Sequence, residues 1–213
     1  MLIVCVNAYE EEKNIGDCLQ SIIDACRRSV FKIMVVDGAY KYFPHEGGPA
    51  SKDKTCEIAE NLGAEIIPAR EWATEQEKRN AYLIGDPGDW YFVVDADERV
   101  RGEYHPGDIS LRILEKEAYQ INLERNDGHN PNKVFRLFKQ QPGLQYRGTH
   151  HALFINQPGK TEPRLLNSEN LPVYPGVDLL HLVCQDLERI KKKGEYYRHL
   201  NDAEADFRAE WKL

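Results

Sequence analysis

The chain has 213 residues, 41% of them hydrophobic and 30% charged, with a formal net charge of -7. That length suits one well-buried domain rather than two, and the acidic balance speaks against a nucleic-acid partner, whose phosphates it would repel. No apolar run approaches the roughly 20 residues that cross a bilayer, and residues 2–6 are too short for the core of a secretion signal, so a cytoplasmic location is expected.

Through the first hundred or so residues, short β-rich runs alternate with helical periodicity, the pattern of βαβ units and a mainly parallel sheet covered by helices. Residues 2–6 form the first strand. Asn14 is placed to cap a helix whose apolar residues Ile15, Leu19, Ile22, Ile23 and Cys26 recur at helical spacing and pack one face on the sheet. A second strand over residues 31–36 runs into Asp37. Residues 38–50 read as a loop, with Pro44, Gly47, Gly48 and Pro49 as breakers and Tyr40, Tyr42 and Phe43 as its aromatic content.

The chain turns helical again after Ser51, with Ile58, Ala59 and Leu62 on one side, stops at Gly63 and gives a third strand near residues 65–67. Thr74 caps the next helix, and Glu77 completes a capping box. The fourth strand, residues 90–94, is apolar on both faces as a central parallel strand is, and it runs straight into Asp95-Ala96-Asp97-Glu98. Further on, strands are expected near residues 119–123, 134–138, 152–155 and 179–183, then a charged helical tail from Asp186. The organisation expected is a single domain over residues 1–185, with residues 186–213 as a helical extension packed on it. The five cysteines are widely spaced without a CxxC pair and read as reduced thiols.

In an open α/β sheet, ligands sit beyond the carboxyl ends of the strands. Three acidic signals fall there: Glu10 to Glu12, Asp37, and Asp95 with Asp97. An Asp-x-Asp alone is commonly a solvated turn. Ending a hydrophobic strand, however, two close carboxylates repel unless a cation or proton offsets them, which favours a divalent cation with oxygen ligands, the device that holds a nucleoside diphosphate.

Several motifs then fall in order: Glu11-Glu12-Lys13-Asn14-Ile15, Val35-Val36-Asp37, Ser51-Lys52-Asp53-Lys54-Thr55 with Glu57-Ile58-Ala59, Arg79-Asn80-Ala81, and Asp89-Trp90 leading to Asp95-Ala96-Asp97-Glu98. Fainter ones follow in Arg136-Leu137-Phe138, Tyr146-Arg147-Gly148-Thr149-His150, and His181 ahead of a Lys-rich helix with Tyr196-Tyr197. This series resembles family 2 glycosyltransferases, nearest the lipopolysaccharide-core β-glucosyltransferase subgroup. The resemblance implies a GT-A fold: a Rossmann-like, mainly parallel central sheet flanked by helices, a small β element in the second half and a helical C-terminal tail. It implies transfer of a sugar, with inversion, from a nucleotide diphosphate donor (a UDP-sugar by default) to an acceptor hydroxyl, with Mn2+ or Mg2+ as cofactor.

The same resemblance implies roles for residues. Asp37 accepts from the nucleobase, and Ala8, Tyr9 and Glu11 line base and ribose. Arg79 and Asn80 lie by the nucleotide, as do Asp95 and Ala96. Asp95 and Asp97 hold ribose and metal, with His181 completing the metal shell. Read from the residues alone, Asp37 is a turn cap, Arg79 an exposed helix residue paired with Glu75, Glu10 to Glu12 an acidic turn before a helix, and His181 a hydrogen-bonded core residue.

An inverting displacement needs a general base, for which His150, His151 and Asp127 are the candidates. The family has glutamate where this chain has His151 and asparagine where it has Glu10, and it lacks the aromatic loop after Asp37. The acceptor stays open among saccharide, lipid-linked sugar, protein and modified nucleobase, and the Lys191 to Lys193 run reads as a solvated helix face, with screening of a diphosphate or peripheral contact with an anionic membrane as the alternatives. Two alternatives compete: a sugar nucleotidyltransferase, against which stands the lack of glycine in Asn7-Ala8-Tyr9-Glu10, and a non-catalytic sugar-nucleotide binding protein.

Overall fold

The first half of the chain is built from β1 (Leu2–Ala8), α1 (Glu12–Cys26), β2 (Phe31–Asp37), α2 (Thr55–Asn61), β3 (Glu65–Ile67), α3 (Glu75–Asn80) and β4 (Trp90–Asp95). The second half supplies β5 (Glu98–Arg101), β6 (Ala118–Arg125), β7 (Asn132–Lys139), β8 (Leu144–Arg147), β9 (Ala152–Ile155), β10 (Arg164–Leu165) and β11 (Val173–His181). The computed structural model describes residues 1–26, 30–41, 48–70, 72–101, 115–128, 132–147, 152–156, 159–160, 163–166 and 170–182, together with 190, 191, 194, 195 and 198. Those last five, all that is described of the expected tail, are helical. Among the described residues no helix is long and apolar enough to cross a membrane.

β1 is buried along its whole length and sits between β2 and β4, parallel to both, while β3 pairs in parallel outside β2. Its side chains alternate. Leu2, Val4, Val6 and Ala8 join Ile15, Leu19 and Ile22 of α1 in one core, whereas Ile3 and Cys5 join Trp72, Tyr82, Tyr91 and Phe138 in a second. Both faces are therefore covered, which is why these strands read as continuous apolar runs. The α/β class expected from the sequence is the one observed.

Beyond β4 the sheet becomes mixed. The full order is β3-β2-β1-β4-β7-β6-β11-β5 in eight strands, with β7 antiparallel to β4 and β6, and β11 parallel to β6 but antiparallel to β5. β10-β9-β8 form a separate three-stranded sheet, the small second-half element. Only Ala96 and Asp97 link β4 to β5, although β7, β6 and β11 lie between them in the sheet. In a flat sheet β5 would stand about 19 Å from β4, while that link reaches at most about 11 Å. The sheet must curl, and the curl brings the end of β11 back to the end of β4.

Local details differ from the sequence reading. α1 begins at Glu12, ahead of Asn14, and the turn that leads into it is held from a distance. The amides of Glu10, Glu11 and Glu12 donate to Ser51 Oγ (2.8 Å), Thr55 Oγ1 (2.8 Å) and Asp53 Oδ2 (3.0 Å), and the Asn14 side chain instead donates to the Glu11 carboxylate at 2.8 Å. Thr74 does cap α3, accepting from the Glu77 amide at 3.1 Å. The Glu77 carboxylate reaches back to the amide of Ala73 (2.8 Å), one residue upstream of the usual box. β5, β8 and β10 were not foreseen; they are two to four residues long and carry charged residues, too short for a period-two pattern to show.

Gly38, just past β2, has φ 118, and a Cβ built there would lie 2.7 Å from Trp72 Nε1. That nitrogen donates to the Asp37 carbonyl at 2.7 Å. Gly38→Ala is expected to cost about 2 kcal/mol of stability from the strained backbone and the displaced indole. Urea unfolding of the variant, with loss under about 0.5 kcal/mol, would show that the turn tolerates a side chain.

Candidate functional site

The chain order of the parallel strands creates a crevice. From β1 it steps to β2 and β3 on one side, then crosses to β4 on the other, so the direction reverses at the carboxyl ends of β1 and β4. Such a switch point is where open α/β sheets take ligands. Register sets the residues there: Ala8 pairs with Asp37 and Asn7 with Asp95. The two acidic clusters thus flank the end of β1, with Asp37 and Asp95 about 10 Å apart at two strand spacings.

Asp37 is buried and held by Ser51, whose amide donates to Oδ2 (3.0 Å) and whose hydroxyl donates to Oδ1 (2.6 Å). The same hydroxyl accepts from the Glu10 amide, which fastens the turn after β1 to the Asp37 carboxylate. Glu10 takes φ 51, the left-handed region that asparagine enters more readily than glutamate. Tyr9 stands beside it, half-buried; desolvation and then the Glu10 carboxylate push its phenol up to about 12. Glu11 is buried, and its carboxylate serves the Asn14 amide.

Lys78, from α3, is 1% exposed and donates to the carbonyls of Ala8 and Gly38, each at 2.7 Å. It ties the ends of β1 and β2 together. Burial pulls its ammonium down to about 7 against the attraction of Asp37, Glu75 and Asp95. Its charge also lies over the Tyr40 ring, 5.3 Å from the centroid.

The next residue, Arg79, carries the pairing with Glu75 that the plain helix reading anticipates, at 2.8 Å, but it is buried rather than exposed. Its guanidinium also reaches Asp95 Oδ1 at 3.1 Å, and Arg136 reaches Asp95 Oδ2 at 2.7 Å and Glu98 Oε1 at 2.8 Å. Arg136 sits where the β6–β7 register jumps from Tyr119↔Leu137 to Gln120↔Phe135, a bulge that gives it no cross-strand partner and re-aims its side chain. Glu98, 1% exposed, accepts from the Asp95 amide at 2.8 Å. Burial first, then Asp95 and Asp97, raise its carboxyl to about 7, with Arg136 and the Asp95 amide opposing.

Asp97 and His181 meet where the curled sheet closes: Nδ1 lies 3.7 Å from Asp97 Oδ1, and the Leu182 amide donates to the Asp97 carbonyl at 2.8 Å. His181 pairs in register with Glu98 on β5 and with Arg125 on β6. Arg125 in turn chelates Asp127, at 2.6 and 3.1 Å, so this base candidate stands on the same rim. Among the described residues no group of three or more His, Cys, Asp or Glu side chains is gathered for a metal ion. Asp97 and His181 alone offer two donors of the type a divalent cation accepts when phosphates and water supply the rest.

Asn80 lies apart from the strand ends: its side chain donates to the Tyr146 carbonyl (3.1 Å) and accepts from the Tyr146 amide (2.7 Å), joining α3 to β8. Ala96, in the turn between β4 and β5, is buried in the α1 core. His150 and His151 fall outside the described residues. Ser51, Lys78, Glu98 and Arg136 were not among the expected site residues. Arg136, Ser51 and Glu98 each fell inside a motif, whereas Lys78 carried no sequence signal: a lysine in a helix looks solvated until the fold buries it.

No protein-family model matches the chain. A TPR repeat-containing protein of Synechococcus elongatus is 26% identical over 155 residues, which make up 70% of this chain and 34% of that protein. Among solved structures the chain is similar to S. aureus TarS 1-349, with a TM-score of 0.46 and 16% identity over 87% of this chain and 58% of that one. Against the same fragment in complex with UDP-GlcNAc the TM-score is 0.45, with 18% identity over 70% and 40%. Glucosyl-3-phosphoglycerate synthase from Mycobacterium tuberculosis, in complex with Mn2+, UDP and glucosyl-3-phosphoglycerate, gives 0.40 at 17% identity over 60% and 45%. The chain spans about a third of the length of the curated relative it matches.

Because the folded Glu98 carboxyl binds its proton more tightly than the unfolded one, its contribution to stability is present below about pH 4.5 and fades as pH rises through about 7. The stability of the wild type relative to Glu98→Gln is therefore expected to fall between pH 4.5 and 7.5. Denaturation of both proteins across that range checks it, and a pH-independent difference would place the proton elsewhere.

Proposed function

We propose that the chain is a glycosyltransferase of the GT-A fold that takes a nucleotide diphosphate sugar, a UDP-sugar by default, and transfers the sugar to an acceptor hydroxyl. The observation that carries this is the meeting of Asp97 with His181 at the crevice where the strand order reverses, with Asp37 and Asp95 on either side of β1. The ordered motifs of family 2 glycosyltransferases run through these same positions. Asp37, fixed by Ser51, accepts a hydrogen bond from the base; Ala8, Tyr9 and Glu11 line base and ribose, and Asp95 with the backbone of Ala96 faces the ribose. Arg79 acts through Asp95, which it orients, and Asn80 through the α3–β8 contact that steadies the helix.

Asp97 and His181 would hold Mn2+ or Mg2+, which supplies charge to offset what grows on the diphosphate as the sugar leaves. The acceptor oxygen attacks the anomeric carbon from the side opposite the diphosphate, its proton passing to a base, for which Asp127, His150 and His151 are the candidates. Of the three, Asp127 lies among the described residues, where it is held by Arg125, the register partner of His181. The reaction belongs to a single domain over residues 1–185, acting in the cytoplasm, with the acceptor undefined.

The test is a panel of nucleotide sugars with Mn2+ or Mg2+, scoring binding and slow donor hydrolysis. One donor class is expected to bind with metal and to be hydrolysed, and Asp97→Asn is expected to cut metal-dependent hydrolysis by about 100-fold or more without unfolding the protein. Binding of no donor, or metal-independent binding of all of them, would overturn the assignment; binding without turnover would leave a sugar-nucleotide binding protein. Among Asp127→Asn, His150→Ala and His151→Ala, the base is the one whose loss lowers turnover without weakening donor binding.

A further inference from the structure

Asn7 departs from the strand that carries it. β1 is otherwise apolar, and by alternation Asn7 lies on the face of Ile3 and Cys5, in register with Val36 on β2 and Asp95 on β4. The residue is 8% exposed, and neither the nitrogen nor the oxygen of its carboxamide has a hydrogen-bond partner among the described residues. Burying an amide unpaired costs free energy that an apolar side chain of the same size would not. Its neighbours at the strand ends are satisfied: Asp37 by Ser51, Lys78 by two carbonyls, Asp95 by two arginines. An orphan among paired groups, at the switch point of the sheet, marks a partner that arrives with the ligand.

Position indicates which part of the ligand. A nucleotide runs from base through ribose to phosphates, and the strands run from β2 with Asp37, through β1, to β4 and the Asp97–His181 pair. The ribose then lies over the end of β1. Its hydroxyls each donate and accept, and a carboxamide presents one donor and one acceptor side by side.

Resting on the nucleotide-sugar assignment above, we infer that Asn7 is a specificity-determining residue, whose carboxamide hydrogen-bonds the ribose hydroxyls of the donor and so selects ribonucleotides over 2′-deoxyribonucleotides. A ligand without the 2′-hydroxyl leaves the buried amide unpaired, which is how a polar site rejects an analogue lacking one group.

Calorimetric binding of UDP, or of whichever nucleoside diphosphate the wild type binds best, is compared with binding of its 2′-deoxy analogue in the wild type, Asn7→Val and Asn7→Ala. Thermal unfolding runs alongside. The wild type is expected to prefer the ribonucleotide by about tenfold. Both variants are expected to lose that preference through weaker ribonucleotide binding, with 2′-deoxy binding unchanged, and Asn7→Val is expected to melt above the wild type because the orphan amide is gone. Equal wild-type affinity for the two nucleotides, or a preference that survives both substitutions, overturns the role of Asn7 while the nucleotide site stands. A wild type that binds no nucleoside diphosphate overturns the site assignment itself, and the role of Asn7 with it.

Discussion

The end of β4 is held by charge rather than by packing. Asp95 lies between the guanidiniums of Arg79 and Arg136, which are themselves tied to Glu75 and Glu98, so that α3, β4, β5 and β7 converge on one run of alternating charges. Arg79 and Glu98 are almost wholly buried. Removing such groups from water costs several kcal/mol per ion, and the cost is offset only while every member keeps its partner. The run contains three carboxylates and two guanidiniums, so it carries one negative charge in excess when all are ionised. Burial is the main reason Glu98 holds its proton unusually well, and the neighbouring Asp95 and Asp97 carboxylates add to it.

At the other side of the crevice the constraint is geometric. The first amides of α1 would present an anion site in many nucleotide-binding folds. Here the amides of Glu10 and Glu11, just ahead of the helix, and of Glu12 at its start are taken by Ser51, Thr55 and Asp53, and Asp53 also accepts from the Thr55 amide at 3.0 Å. Amides engaged this way are not free to receive an anion. At the far end of the crevice the curl of the sheet delivers His181 to Asp97.

The parallel half of the fold was legible because its signals are local: apolar runs of strand length, a helix with Ile15, Leu19 and Ile22 at regular spacing, and Asp37 and Asp95 at the strand ends. In the second half β6, β7, β9 and β11 fall where strands were expected, but their pairing was not legible, because a mixed sheet with a bulge at Arg136 and a pairing of β5 with β11 across some eighty residues leaves no periodic trace. For the site, sequence order placed the acidic residues but was silent about their partners. Lys78 illustrates why: its role depends on the carbonyls of Ala8 and Gly38, residues 70 and 40 positions away. The pairing of Arg79 with Glu75 was visible as a helix spacing, while the burial that turns it from a surface contact into a support for Asp95 was not.

Register has one more consequence for how a ligand must lie. Parallel partners project to the same face, so Asp37 shares the α1 face with Ala8, and Asp95 shares the opposite face with Asn7. The two carboxylates thus leave the sheet on opposite sides of its edge, and a single ligand touching both must straddle the end of β1 rather than lie against either face. Ala8 suits that end, since its small side chain is already buried in the α1 core and leaves only backbone at the tip. Lys78, reaching over from α3 to the carbonyls of Ala8 and Gly38, keeps that tip from fraying. Its charge feels both Asp37 and Asp95, one on each face of the strand.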